Sequence, residues 1–206
     1  MVGYGDCGKG VAARARGLGA IVIVTEVSPK RALQAAMDGH LVMPLMEAAK
    51  IGDIFITVTG NKNVVPFEAI RLMKDSAILA NAGHFDNEID VAALERNATE
   101  KEEIRPYFKR YRINGKDVYL CGEGRLVNLV CGEGHPSSVL DLSFAGQALA
   151  VGYLVKNRGK LNVGVIKLPK EIDDEIARLK LESMGIRIDT LTKEQIAYLN
   201  NWKEGT

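Results

Sequence analysis

Apolar positions along the chain follow two alternating rhythms. "AIVIVTE" (20–26) is an unbroken, largely β-branched run, "DIFITVTG" (53–60) is a second and "SAILANAGH" (76–84) a third. Continuous runs of this kind suit strands buried on both faces. Between them the spacing becomes helical. "GKGVAARARGL" (8–18) places small and apolar residues at helical intervals. "SPKRALQAAMDG" (28–39) opens on Ser28 as a candidate N-cap, puts Pro29 at the first helical position and stops at Gly39. A short strand is expected around 41–43 and a helix over 45–50. Strands separated by helical stretches predict βαβ units and a parallel sheet.

Past Ile89 the texture changes. "EIRPYFKRYRINGKDVYLCG" holds two alternating runs around Asn114 and Gly115, a strong hairpin signal. "HPSSVLDLSFAGQALAVGYLVKN" (135–157) predicts one long, largely buried helix starting near Pro136. Two amphipathic helical patterns follow, "PKEIDDEIARLKLESMG", ending at Gly185, and "TKEQIAYLNNW", ending at Trp202. The expected organisation is therefore an α/β domain over 1–134 and a helical appendage over 135–206.

Composition narrows the class. The chain has 206 residues, 47% hydrophobic and 26% charged, as an ordinary globular protein does. A net charge of +1 leaves no electrostatic footprint for nucleic acid or an anionic membrane. No apolar run reads as long enough to cross a bilayer, and no signal segment opens the chain. Cys7, Cys121 and Cys131 are few and odd in number, which suits a reducing compartment, and the cytoplasm is the expected location. Cys131 and His135 lie four apart, but no second pair of ligands stands near them, so no metal site is expected.

Candidate chemistry begins at "MVGYGDCGKG". Gly3, Gly5 and Gly8 form G-x-G-x-x-G, the turn that carries a dinucleotide's pyrophosphate onto a helix N-terminus. Among 21 glycines the pattern alone is weak. The confirming feature is an acid about twenty positions on, at the end of the next strand, to hold the adenosine ribose hydroxyls. Glu26 stands there, and its carboxylate favours NAD over NADP. A strand-capping surface Glu beside an ordinary Gly-rich turn is the alternative. "TVTGN" and "ANAGHFD" close the next two strands with small and polar residues, at the edge where such sheets bind ligands. His84 lies at one of these ends, as a proton carrier or a structural imidazole. Only Met1 and Val2 precede the turn, where a buried strand is expected. The expectation is a chain that starts partway through a larger protein, with a Rossmann-like, doubly wound sheet lacking its first strand.

"GYGDCGKG", "TEVSPKRALQAAMDG", "MKDSAILANAGHFDNEID" and "GRLVNLVCGEGHPSSVLDLSFAGQALA" together resemble S-adenosylhomocysteine hydrolase, or adenosylhomocysteinase. The similarity runs from Gly3 to "LTKEQIAYLNNW", and the short C-terminus resembles the archaeal and thermophilic bacterial branch. The resemblance implies a tightly held NAD and reversible hydrolysis of S-adenosyl-L-homocysteine, or a related nucleoside thioether, to adenosine and homocysteine. The implied route is 3′-oxidation, elimination, hydration and reduction. It also implies a homo-oligomer, with the C-terminal segment reaching a neighbouring subunit.

Carried over by position, the resemblance assigns Gly3, Gly5, Asp6, Cys7 and Gly8 to the pyrophosphate loop and Glu26 to the ribose. Thr59 lies where the cofactor passes, and Ala82, Gly83 and His84 beside the nicotinamide. Asn128 is another cofactor contact. His84 also contacts substrate and serves as acid/base group, and His135 marks the nucleoside end of the substrate. Arg31 stands at a cofactor contact where many members have Asn. The substrate-binding half that the family places before the glycine turn is not in this sequence, so the chain alone is expected to be inactive. Two alternatives stand beside this reading. One is a non-catalytic NAD-binding or oligomerisation module, the other an NAD enzyme of the 2-hydroxyacid dehydrogenase type.

Overall fold

The computed structural model describes residues 1–201; Trp202, the end of the last amphipathic pattern, lies outside the described residues. The chain divides into two compact units, Met1–Gly134 and a second from His135 onward.

In the first unit the expected alternation appears. Helix α1 (Asp6–Gly17) leads to strand β1 (Ile23–Val24), then α2 (Pro29–Met37) and β2 (Leu41–Val42). A short α3 (Leu45–Ala48) precedes β3 (Ile54–Thr57), then come α4 (Phe67–Leu72), β4 (Ala77–Asn81) and α5 (Val91–Asn97). A meander of β5 (Glu100–Arg105), β6 (Phe108–Ile113) and β7 (Lys116–Cys121) follows, with a 3-10 turn at Gly122–Gly124 and α6 (Val127–Val130). β1 and β2 pair in parallel, and a second sheet has the order β3-β4-β7-β6-β5. Its β3–β4 and β4–β7 pairs are parallel, its β7–β6 and β6–β5 pairs antiparallel.

Residues 1–3 join the two sheets. Val2 bridges in parallel to Thr25 on one side and to Thr57 on the other. Its N–H donates to the Ile56 carbonyl at 2.9 Å, and its carbonyl accepts from Val58 N–H at 3.0 Å. Thr25 N–H donates to the Met1 carbonyl at 2.9 Å, and Gly3 N–H to the Thr25 carbonyl at 2.8 Å. The central position, expected to be empty, is thus held by a stub of three residues. In the flanking runs Val22, Val24 and Phe55 are buried. Ile21 is 85% and Ile54 57% exposed, against the expectation of burial along the whole of each run.

The hairpin falls where Asn-Gly placed it. Asn114 (φ 51°) and Gly115 (φ 77°) both take positive φ, which a two-residue turn of this twist requires. β5 was not foreseen. All six of its residues are exposed and five are charged, a composition that shields a sheet edge from further pairing.

α5 is tied to the meander through Glu95. Its carboxylate accepts from Lys109 Nζ at 2.8 Å and Tyr111 Oη at 2.5 Å, and pairs with Lys101 Nζ at 2.9 Å. Burial alone would raise the Glu95 carboxyl, but hydrogen bonds from Lys109, Tyr111 and Lys101 override it and draw the group down to about 2. A carboxyl lowered on folding stabilises the fold above its unfolded value, about 4.3, and loses that contribution as pH falls toward the folded one. Urea midpoints should therefore fall between about pH 4.3 and the folded value near 2, and Glu95→Gln should flatten that limb. An unchanged limb in the variant would place the acid sensitivity elsewhere.

The second unit is helical: α7 (Ser137–Lys156), α8 (Lys170–Ser183) and α9 (Lys193–Leu199). α9 begins with a capping box, Thr192 accepting from Gln195 N–H and Gln195 accepting from Thr192 N–H. α7 starts after Pro136 as expected, but none of its residues is buried, against the expectation of a largely buried helix. With a mean hydropathy of 1.4 over an 18-residue window, it is long and apolar enough to cross a membrane by length and composition. That corrects the expectation that no run reaches such a length. Asp141 and Gln147 are too widely spaced to interrupt the run.

Candidate cofactor site

Chain direction sets the site. The parallel strands β1, β3 and β4 and the stub at Val2 all end at one edge, and the turns after them carry Glu26, Thr59, Ala82 and the Gly3 turn. Gly3 adopts φ +102°, and a Cβ there would lie 2.9 Å from the Thr59 methyl carbon. A Cβ on Gly8 would lie 2.5 Å from the Gly3 carbonyl oxygen, so α1 can start this close to the turn only with glycine at both positions. Gly5 caps α1 without a side-chain hydrogen bond, and only Arg31 Nη1, at 4.0 Å, comes near its open face. Asp6 and Cys7 are exposed in the first turn beside it. The result is a helix N-terminus with uncapped N–H groups behind an open backbone surface, which suits a pyrophosphate.

Glu26 faces that turn. One carboxylate oxygen accepts from Tyr4 N–H at 2.8 Å, the other from Val27 and Ser28 N–H at 2.7 and 2.9 Å. Ser28, read as an N-cap, makes no side-chain cap bond; its own N–H is held by Glu26 instead. Burial would raise the Glu26 carboxyl, but the N–H groups of Ser28, Tyr4 and Val27 and the Arg31 guanidinium hold it below its usual value. It stays an anion with lone pairs left for ribose hydroxyls. Tyr4 anchors the turn from beneath, donating its hydroxyl to Asp38 at 2.9 Å. Burial and that carboxylate push its phenol up to about 12.

On the other side of the stub the turns after β3 and β4 meet. Thr59 lies in the first; Ala82, Gly83 and the exposed His84 lie in the second. The His84 ring stands edge-on to Phe85, with centroids 4.6 Å apart. Two buried residues that sequence reasoning missed hold this side. Asn81 donates to the carbonyls of Phe85 and Gly124 at 2.8 and 2.9 Å and accepts from Gly83 N–H and Thr57 Oγ1 at 2.8 and 2.9 Å. Glu88 accepts from Thr59 and Gly60. Asn81 closes the β4 run and Glu88 lies in "DNEID", which reads as loop, so no local pattern marks either polar side chain as buried. Asn81 also pairs with Leu126, which brings α6 and Asn128 to the end of β4. His135 is exposed at the start of the second unit, outside this set.

A glycine turn, an uncapped helix N-terminus and a facing carboxylate at the carboxyl edge of a parallel sheet define a dinucleotide-binding α/β domain of Rossmann type. The description "S-adenosyl-L-homocysteine hydrolase, NAD binding domain" matches residues 1–134. The chain belongs to that family, and its cofactor is NAD. It is 59% identical over 207 residues to an adenosylhomocysteinase of Nostoc sp., covering 100% of this chain and 49% of the relative. It is also 59% identical over 206 residues to one from Archaeoglobus fulgidus, covering 100% of this chain and 51% of that one. The chain thus spans about half the length of the curated relatives it matches. Among solved structures, an NAD-complexed D-isomer specific 2-hydroxyacid dehydrogenase from Lactobacillus delbrueckii ssp. bulgaricus aligns at 25% identity with a TM-score of 0.38. That alignment covers 46% of this chain and 29% of the other, too slight a likeness to bear on function.

Proposed function

We propose that this chain is the NAD-holding part of an adenosylhomocysteinase acting on S-adenosyl-L-homocysteine or a related nucleoside thioether. The observation that carries it is Glu26, an anion fixed by three backbone N–H groups across the turn from the uncapped start of α1. The names of the relatives supply the substrate class. Bound NAD supplies a hydride acceptor at its nicotinamide. The protein's own part is to orient it: Glu26 accepts the adenosine ribose hydroxyls, and the open face of Gly5 with the first N–H groups of α1 takes the pyrophosphate. Thr59, Ala82, Gly83 and Asn128 flank the other half. His84, exposed in the turn after β4, presents an imidazole whose ring nitrogens can take or give a proton to a bound substrate, and His135 is proposed to meet the nucleoside. A cytoplasmic location and a homo-oligomer belong to the same proposal. The low cysteine content favours the first, and the apolar surface of α7 favours the second.

Calorimetric titration with NAD, then a turnover assay, tests the reading. The chain alone is expected to bind NAD without hydrolysing the thioether. Mixing it with the other half of the Archaeoglobus relative should restore turnover, and His84→Ala should remove that turnover while NAD still binds. NAD binding with no restored turnover would favour a non-catalytic module.

A further inference from the structure

Beneath the candidate cofactor surface lies a carboxylate that the proposed chemistry does not use. Glu88 is 0% exposed although its neighbours in 84–87 are exposed. A buried carboxylate is costly unless its lone pairs are met, and an apolar residue would fill the same space at less expense. Here they are met. Oε2 accepts from Thr59 N–H at 3.0 Å and from its hydroxyl at 2.7 Å, and Oε1 accepts from Gly60 N–H at 2.7 Å. All three donors belong to the turn after β3, whereas Glu88 belongs to the loop after β4.

The same carboxylate determines what can stand above it. A Cβ on Gly83 would lie 1.7 Å from Glu88 Oε1, so the backbone leading into His84 rests directly on this group. On its other side Thr59 reaches the cofactor turn, its methyl carbon 2.9 Å from where a Gly3 Cβ would be. Glu88 thus holds Thr59 by hydrogen bonds, and the closeness of Gly3 to Thr59 and of Gly83 to Glu88 leaves no room for a side chain at either glycine. Topology gives this arrangement its direction: Glu26 lies on the β1 side of the stub, and the β3 and β4 turns lie on the opposite side. A dinucleotide with its adenosine ribose at Glu26 would have its second half held by Thr59, Gly60 and Gly83.

We propose that Glu88 is a positioning residue for the nicotinamide half of NAD: its grip on Thr59 and Gly60 beneath Gly83 fixes the surface bearing His84 relative to the Gly3 turn. This rests on the reading of the site as NAD-binding. The test compares NAD with ADP, which keeps the adenosine and pyrophosphate and lacks the second half. Both are titrated calorimetrically into the full 206-residue chain. Glu88→Gln keeps the shape but sets an NH2 against one of the three donors. It is expected to weaken NAD about tenfold or more and to leave ADP within about twofold. Equal weakening of both, or no weakening of NAD, overturns the proposal. If Glu88→Gln does not fold, Glu88→Asp keeps the charge but shortens the reach to Thr59 and Gly60, and the same pair of titrations decides by the same criteria. If the unsubstituted chain binds neither NAD nor ADP, the site reading itself fails, and that result is distinct from any produced by the variants.

Discussion

Gly8→Ala is expected to weaken NAD binding about a hundredfold and to lower the unfolding midpoint of the first unit. Its Cβ would stand 2.5 Å from the Gly3 carbonyl oxygen and 3.1 Å from the carbonyl carbon. Both atoms are backbone, so α1 and the turn must separate. Overpacking of this kind costs about 1–3 kcal/mol, and about 1.4 kcal/mol is a tenfold change in an equilibrium constant. The parts that separate are those proposed to present N–H groups to the pyrophosphate, so an affinity loss of about a hundredfold is expected. Two neighbouring glycines should behave differently. Gly5→Ala meets nothing closer than Arg31 Nη1 at 4.0 Å, so it should leave the midpoint unchanged yet block the approach of the pyrophosphate. Gly10→Ala, mid-helix with nothing within 4 Å, should gain about 0.5–1 kcal/mol and bind NAD normally. A Gly8→Ala chain with unaltered affinity would remove the turn from the site.

The second large effect is the choice between NAD and NADP. A 2′-phosphate carries a charge of about −1.5 to −2. Beside a carboxylate at about 4 Å it is repelled by about 4 kcal/mol per unit charge at the effective dielectric of a protein surface. Glu26→Gln removes that repulsion and leaves Arg31 as the nearby charge; solvent and salt screen most of the unattenuated Coulomb value at so open a site, so the ratio of NADP to NAD dissociation constants should fall by at least about a hundredfold. NAD itself should also weaken, because a glutamine cannot accept from Tyr4 on one side and from Val27 and Ser28 on the other. The backbone N–H groups that lower the Glu26 carboxyl should preserve the discrimination at acid pH where an ordinary glutamate is already protonated. An unchanged ratio in the variant would place the adenosine ribose elsewhere.

What the sequence disclosed follows from how each feature is encoded. The β1, β3 and β4 runs are legible because strands in a parallel sheet need continuous apolar residues, and the hairpin because two positive φ angles favour Asn-Gly. Glu26 is legible because its spacing from the glycine turn is fixed by one helix and one strand. β5 is not: an edge strand is protected by charges, and charges erase the alternation that would reveal it. Glu88 and Asn81 are hidden for a related reason. Their burial depends on donors from the turns after β3 and β4, the Gly124 carbonyl and the Thr57 hydroxyl, which no local pattern announces. α7 shows the opposite failure, since apolar composition predicts a covered surface without saying what covers it.

The stub between the sheets has a consequence for cooperativity. Val2 belongs to the larger apolar cluster with Phe55, Leu79 and Leu120, whereas Tyr4, two residues on, belongs to a smaller one with Ala12, Val24 and Ala35. Two cores so joined can open as separate foldons, the smaller at the lower free energy. Glu26 lies on the smaller side and the turns after β3 and β4 on the larger. A dinucleotide spanning both adds its binding free energy to their coupling. The cofactor then acts as a mortar joint as well as a reagent, fusing two foldons into one cooperative body.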